Sequence, residues 1–237
     1  MGKQVAKLKV MSARSMHEAV TALAYGFTSA SGHEIELDFG TVGALQKKLD
    51  AGETADVLII GMPNMEALEQ AGALVLGTRR KLVTARIGVA VREGAASPDV
   101  STPAAFKDAL MEARRIAFSD AAIGGSAGVY LARMFNELGL ADVITQKGLP
   151  QQSGVEVARR VANGEADIGM TLMPEIVPVT GARNLGPLPK PLGLDTTYCI
   201  AVMATCAAPD AGRAFIAALA REEARVIWTE AGLDVAM

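Results

Sequence analysis

Four places in this chain could gather a negatively charged ligand, and they share one composition. Ser12-Ala13-Arg14-Ser15, Gly40-Thr41-Val42-Gly43 and Gly124-Gly125-Ser126-Ala127-Gly128 each set Gly, Ser or Thr where a strand gives way to a helix. Ser153-Gly154 is a shorter fourth. A helix start leaves backbone N–H groups unpaired and carries a partial positive charge, so it suits an anion. Glycine lets a ligand approach the backbone, and hydroxyls add hydrogen bonds. Ser12, Ser126 and Gly128 are candidate ligand contacts on this ground. Arg14 adds a guanidinium, whose fork of donors matches a carboxylate. The third corner lacks the Gly-Lys-Ser/Thr of a phosphate loop and is not GxGxxG, which disfavours a nucleotide.

Groups that move protons or bind metals are sparse. His17 falls in the first turn of a helix, and His33 follows Ser31-Gly32 in a turn expected to face solvent. Glu175, just after Met173-Pro174, could bring a carboxylate near a ligand. There is no GxSxG elbow and no Cys/His cluster with metal-ligand spacing, so neither metal nor cofactor is expected. Cys199 and Cys206 stand an odd number of positions apart on an apolar run read as one strand. That puts them on opposite faces, where they serve as buried apolar residues rather than as a disulfide.

The elements that must position these corners alternate short β-rich runs with amphipathic helices, the pattern of parallel sheets covered by helices. Residues 8–11 read as a strand, followed by a helix with Met16, Val20, Leu23 and Phe27 on one face. Ser15 with Glu18 predicts a capping box at its start. Residues 35–39 and the apolar run 56–60 are further strands. From Lys81 the texture changes. Strands at 87–91, 116–119 and 168–172 alternate with helices opening at Pro103, after Gly128 and at Val155. The helix after Gly128 carries Val129, Ala132, Phe135 and Leu138 on one face. A Pro- and Gly-rich stretch, 181–193, leads to a strand at 198–204 and one helical region over 211–231.

Of the 237 residues half are hydrophobic, 21% charged and 4% aromatic, with a formal net charge of −3. The few aromatics exclude broad stacking platforms, and the lack of a basic cluster excludes a nucleic-acid partner. No apolar stretch reaches the ~18 residues of a membrane span. The start has lysines but no long hydrophobic core of an export leader. The protein is thus periplasmic if a leader was removed, and cytoplasmic if Met1 is the native start.

Lys9-Val10-Met11-Ser12-Ala13, Phe39-Gly40-Thr41-Val42-Gly43-Ala44-Leu45, Ala51-Gly52-Glu53 with Ala55-Asp56-Val57, Gly125-Ser126-Ala127-Gly128 and Gly164-Glu165-Ala166-Asp167-Ile168-Gly169 together resemble the molybdate-binding-protein family. These are extracellular solute-binding proteins of molybdate ABC transporters and their relatives, and the motifs keep their order along nearly the whole chain. The resemblance implies an α/β, two-lobed type II periplasmic-binding-protein fold, with a ligand cleft between lobes joined by two crossover segments. Residues 1–82 and 198–237 would form lobe 1, and 83–197 lobe 2. It implies Ser15 as one ligand serine, Val42 at the position of a second with Thr41 beside it, and Ala127 as a backbone donor. The family's tyrosine position falls near Leu172, with Thr171 adjacent.

Two of the family's hydroxyls are therefore absent, and Arg14 is a cation in a site that elsewhere uses neutral donors. An organic carboxylate fits these residues better than molybdate. The implied function is a solute-binding protein clamping a small anion for an ABC permease. A branch of the same family is similar to aconitate isomerase, which implies the alternative, a cofactor-independent isomerase of an unsaturated polycarboxylate. That reaction needs a group to carry an allylic proton, for which Glu175, His17 and Tyr130 are the candidates.

Overall fold

The computed structural model describes residues 5–235. Residues 1–4, part of the segment read for a leader, lie outside the described residues, as do 236 and 237. In chain order the elements are β1 (Lys7–Ala13), α1 (His17–Ser31), β2 (Glu34–Gly40), α2 (Val42–Asp50), β3 (Val57–Gly61), α3 (Met62–Gln70), β4 (Arg80–Arg92), α4 (Pro103–Glu112) and β5 (Ile116–Ser119). Then come α5 (Ser126–Glu137), α6 (Ala141–Lys147), β6 (Gly148–Gln151), α7 (Gly154–Ala162), β7 (Ile168–Leu172), α8 (Met173–Ile176) and β8 (Ala182–Pro187). The chain closes with β9 (Asp195–Val202), α9 (Pro209–Leu219), α10 (Ala224–Glu230) and β10 (Asp234–Val235). It divides into two compact units, one of residues up to Thr84 with those from Thr196, the other Ala85–Asp195.

In the first unit the strands run β2-β1-β3-β9, the first three parallel and β9 antiparallel. All five residues of β3 are buried, as the apolar run 56–60 predicts for a strand covered on both faces. One face meets Met11, Leu45, Met65 and Ala201. α1 buries Ala19, Val20, Ala24 and Phe27, and Phe27 meets Phe215 of α9 edge-on with ring centroids 5.2 Å apart.

In the second unit the order is β4-β7-β5-β6, with β8 also on β4. β5 is parallel to both β6 and β7. Val157 and Val161 of α7 pack on Ala90 and Ala117 in its core.

Several sequence expectations are corrected here. The region 211–231 is two helices, because Arg221-Glu222-Glu223 interrupts the apolar repeat and the buried Trp228 donates its indole N–H back to the Leu219 carbonyl. In α5 the buried stripe is Ala127, Leu131, Met134 and Phe135, leaving Val129 and Ala132 outside. That stripe follows i, i+4, i+7, i+8 and hugs one face, whereas repeated steps of three drift around the helix. Cys206 lies beyond the end of β9, so the two cysteines do not share a strand. Both are free and buried, and burial pushes both thiols above their ordinary value.

β8 forms within the stretch read as irregular, and α6 and β6 were not foreseen. β6 carries Pro150, which an edge strand tolerates because no ladder bond is needed on its open side. His33 is buried, not solvent-facing. Its Nδ1 accepts the Ala6 N–H at 3.0 Å, and its ring stacks on Phe27.

Candidate functional site

Strand register brings the first unit's corners together. β1 and β2 are parallel with Ala13 opposite Gly40, so the turn after β1 lies beside Thr41. β3 runs the same way, and antiparallel β9 places Tyr198 opposite Gly61 at that end. The turn after β1 is a short 3-10 segment, Arg14–Met16, that feeds α1. Ser15 does not form the expected capping box, since no side chain caps α1. Its hydroxyl instead donates to the Tyr198 phenol oxygen at 3.1 Å, with both residues buried. Glu18, the other half of that box, pairs with His17 at 3.0 Å.

The other residues around this end divide by exposure. Ser12 is fully buried and donates to the Ala13 carbonyl at 3.3 Å. Arg14 is exposed and, among the described residues, makes no ion pair. Thr41 caps α2, its Oγ1 accepting the Ala44 N–H at 3.2 Å. Val42 opens that helix and packs on the Met11 and Leu45 cluster, so only its backbone could serve a ligand. His17 lies with its ring 4.6 Å from that of Phe39, just before Gly40.

The second unit repeats this logic. Ser119 ends β5 and Thr171 is the next-to-last residue of β7. The parallel register sets them side by side, with their hydroxyl oxygens 2.9 Å apart. Thr171 is fully buried and donates to Glu175 Oε2 at 2.9 Å. α7 starts at Gly154, capped by Ser153, whose Oγ accepts the Glu156 N–H. A Cβ on Gly154 would run into Thr171 Oγ1 and Glu175 Oε2. Glycine is therefore what allows the helix start to approach this carboxylate.

The start of α5 differs. Gly125 at its N-cap offers no side chain, so the first N–H groups have no side-chain acceptor. Ser126 Oγ is fully enclosed and has no hydrogen-bond partner. Such a group costs free energy unless something arrives to pair with it. Ala127 is buried next to it. Gly128 has a packing reason for being glycine, because a Cβ there would collide with the Asp120 backbone.

Tyr130 donates its phenol proton to the Leu192 carbonyl at 3.0 Å, which ties up that acid/base candidate. Among the described residues no group of His, Cys, Asp and Glu could hold a metal ion. No helix among them is long and apolar enough to cross a membrane.

Sequence reasoning missed Tyr198 and Ser119. Each was read as a strand terminus and nothing more. The available signal was a hydroxyl at the very end of an apolar run, which is where a sheet presents side chains to a ligand.

The chain resembles known proteins over nearly its whole length. Residues 8–234 match the profile described as bacterial extracellular solute-binding protein. An aconitate isomerase from Pseudomonas sp. is 29% identical, covering 97% of this chain and 88% of its own. The periplasmic molybdate-binding protein of Azotobacter vinelandii superposes with a TM-score of 0.78 at 20% identity, over 97% of this chain and 100% of that one. The sulfate-binding protein of Mycobacterium tuberculosis gives 0.73 at 17% identity, over 96% and 86%.

Proposed function

Because the chain belongs to the family of bacterial extracellular solute-binding proteins and has the type II periplasmic-binding-protein fold, we propose that it binds a small organic polycarboxylate. The observation that carries this is the α5 start, where uncapped N–H groups and the unpartnered Ser126 hydroxyl lie together. Arg14, in the turn after β1 of the first unit, offers a guanidinium suited to a carboxylate. Inorganic oxyanions are disfavoured at the β5 and β7 ends, because Thr171 already gives its proton to a carboxylate of the protein. For an uptake role the partner is an ABC permease.

A thermal-shift series with molybdate, tungstate, sulfate, citrate and both aconitates tests the reading. At about 100 times its dissociation constant a ligand stabilises the fold by roughly 2.7 kcal/mol. A polycarboxylate should give the largest shift, and Arg14→Ala should weaken its binding more than tenfold. A larger shift with molybdate, or an unchanged affinity in the variant, sinks it.

The second reading is isomerisation of an unsaturated polycarboxylate. It is favoured by the aconitate isomerase relative together with the carboxylate of Glu175, fixed where ligand donors would otherwise stand.

A further inference from the structure

At the end of the first unit's sheet away from the ligand corners, two arginines line one small cavity. Arg80 opens β4, and Arg213 lies on α9. The cavity, of about 280 Å³, runs between the turn at Gly77-Thr78 and the part of α9 that carries Arg213, Ile216 and Ala217, continuing to Ala220. Those four positions follow i, i+3, i+4, i+7, so a single helix face forms that wall. Thr78 fixes its place in the fold, because Thr78 Oγ1 accepts the Val202 N–H at 3.2 Å. Val202 stands opposite Val57, the first residue of β3, whereas the corners lie beyond the last, Gly61. The length of β3 therefore separates this cavity from the turn after β1.

Charge sets the cavity apart. Arg79, one position before β4, is balanced by Glu66 and Glu69 of α3 at 3.6 and 2.8 Å. Arg80 and Arg213 have no such balance. Among the described residues neither guanidinium makes an ion pair or a hydrogen bond, and no Asp or Glu lines the cavity. Two cations on one space repel, and an anion between them replaces that repulsion with two attractions. Thr78 adds no donor, since its proton goes to the Val75 carbonyl at 2.6 Å. Recognition thus falls to the two guanidinium forks, each matched to a pair of oxygens on a carboxylate, phosphate or sulfate. The volume falls short of the roughly 300–1,000 Å³ typical of sites for larger organic ligands, which favours a small guest.

We propose that this cavity is a second anion site, taking a small oxyanion with two negative charges held between Arg80 and Arg213. It is independent of the polycarboxylate reading above, which uses Arg14 and the α5 start.

The test follows the arginine Nε–Hε resonances of the 15N-labelled whole chain while inorganic phosphate or succinate is added. Ionic strength is held constant, so general screening does not change. The Arg80 and Arg213 resonances, assigned with Arg80→Gln and Arg213→Gln, should shift together and saturate with one dissociation constant. Each Gln variant should weaken that binding about tenfold or more, as expected for losing hydrogen bonds between charged groups. Arg80→Lys, which keeps the charge without the fork, should retain part of it. Both arginines are exposed, so these variants should melt as wild type does without added anion. Arg14→Ala should leave the two resonances saturating as before.

Saturation by phosphate or by succinate supports the site, and the lower of the two dissociation constants tells which kind of oxyanion it prefers. Shifts that stay linear with both anions overturn the proposal. Saturable binding that survives in both Gln variants, or that disappears in Arg14→Ala, overturns it equally. Failure of every polycarboxylate in the thermal-shift series sinks the earlier reading and leaves this one standing.

Discussion

Ser15 and Tyr198 stand 183 positions apart in sequence, yet the serine hydroxyl donates to the phenol oxygen at 3.1 Å inside the first unit. The bond joins the turn after β1 to the strand by which the chain returns to this unit. It also fixes a hydroxyl at the corner that sequence had marked for a ligand.

Breaking that pair should cost stability in a non-additive way. Ser15→Ala and Tyr198→Phe are each expected to destabilise by about 1–3 kcal/mol, since each leaves a buried polar partner behind. The double variant should cost less than the sum by roughly 1 kcal/mol. Urea unfolding of the four proteins reads this directly. Strict additivity would mean the two groups do not interact in solution.

Ser126 should behave in the opposite way. Its enclosed hydroxyl has no hydrogen-bond partner, so Ser126→Ala should leave stability within about 0.5 kcal/mol of wild type or raise it slightly. Ligand affinity should fall about tenfold or more, the worth of a hydrogen bond to a charged group. A calorimetric titration showing undiminished affinity would remove Ser126 from the ligand contacts.

Two glycines on helices should respond with opposite signs. Gly26 lies inside α1, where a Cβ would meet nothing within 4 Å, so Gly26→Ala should stabilise by about 0.5–1 kcal/mol. Gly128→Ala should destabilise by about 2 kcal/mol or more, because the new methyl meets Asp120 backbone that cannot swing aside. Melting temperatures of the two variants decide it, and a stabilised Gly128→Ala would show that α5 does not pack as described.

Asp167 gives a pH test. The Arg114 guanidinium and backbone N–H both bond its carboxylate and hold it below the usual range. A group lowered in the folded state contributes stability above its unfolded value and loses it as pH falls through the folded one. Asp167→Asn should therefore melt below wild type at neutral pH, with the gap closing as pH drops below about 4. A gap that stays constant down to pH 2 would assign the effect to something other than this charge.

Much of the fold was legible because it is local. The apolar run of β3 announced a strand covered on both faces, and Thr41 and Ser153 cap helices where their sequence positions suggested. Short elements escaped for the same reason. β6 and β8 have too few residues, and too much Pro and Gly, to show a period. The break inside the helical region 211–231 does not show in the sequence, because it depends on Trp228 reaching back to Leu219.

The sequence by itself determined which corners are rich in glycine and hydroxyls and therefore where a helix start could receive an anion. Composition and periodicity are properties of neighbours along the chain, and these corners need nothing more. Only the tertiary structure decided which hydroxyls still have a proton to give. Thr171 was committed to Glu175, and Ser15 to Tyr198, by strand register and chain return. Ser126 was left without a partner by the same packing. Hydrogen-bond capacity is used up by whatever lies close in space, and closeness across 183 residues is not written in either residue's surroundings along the chain.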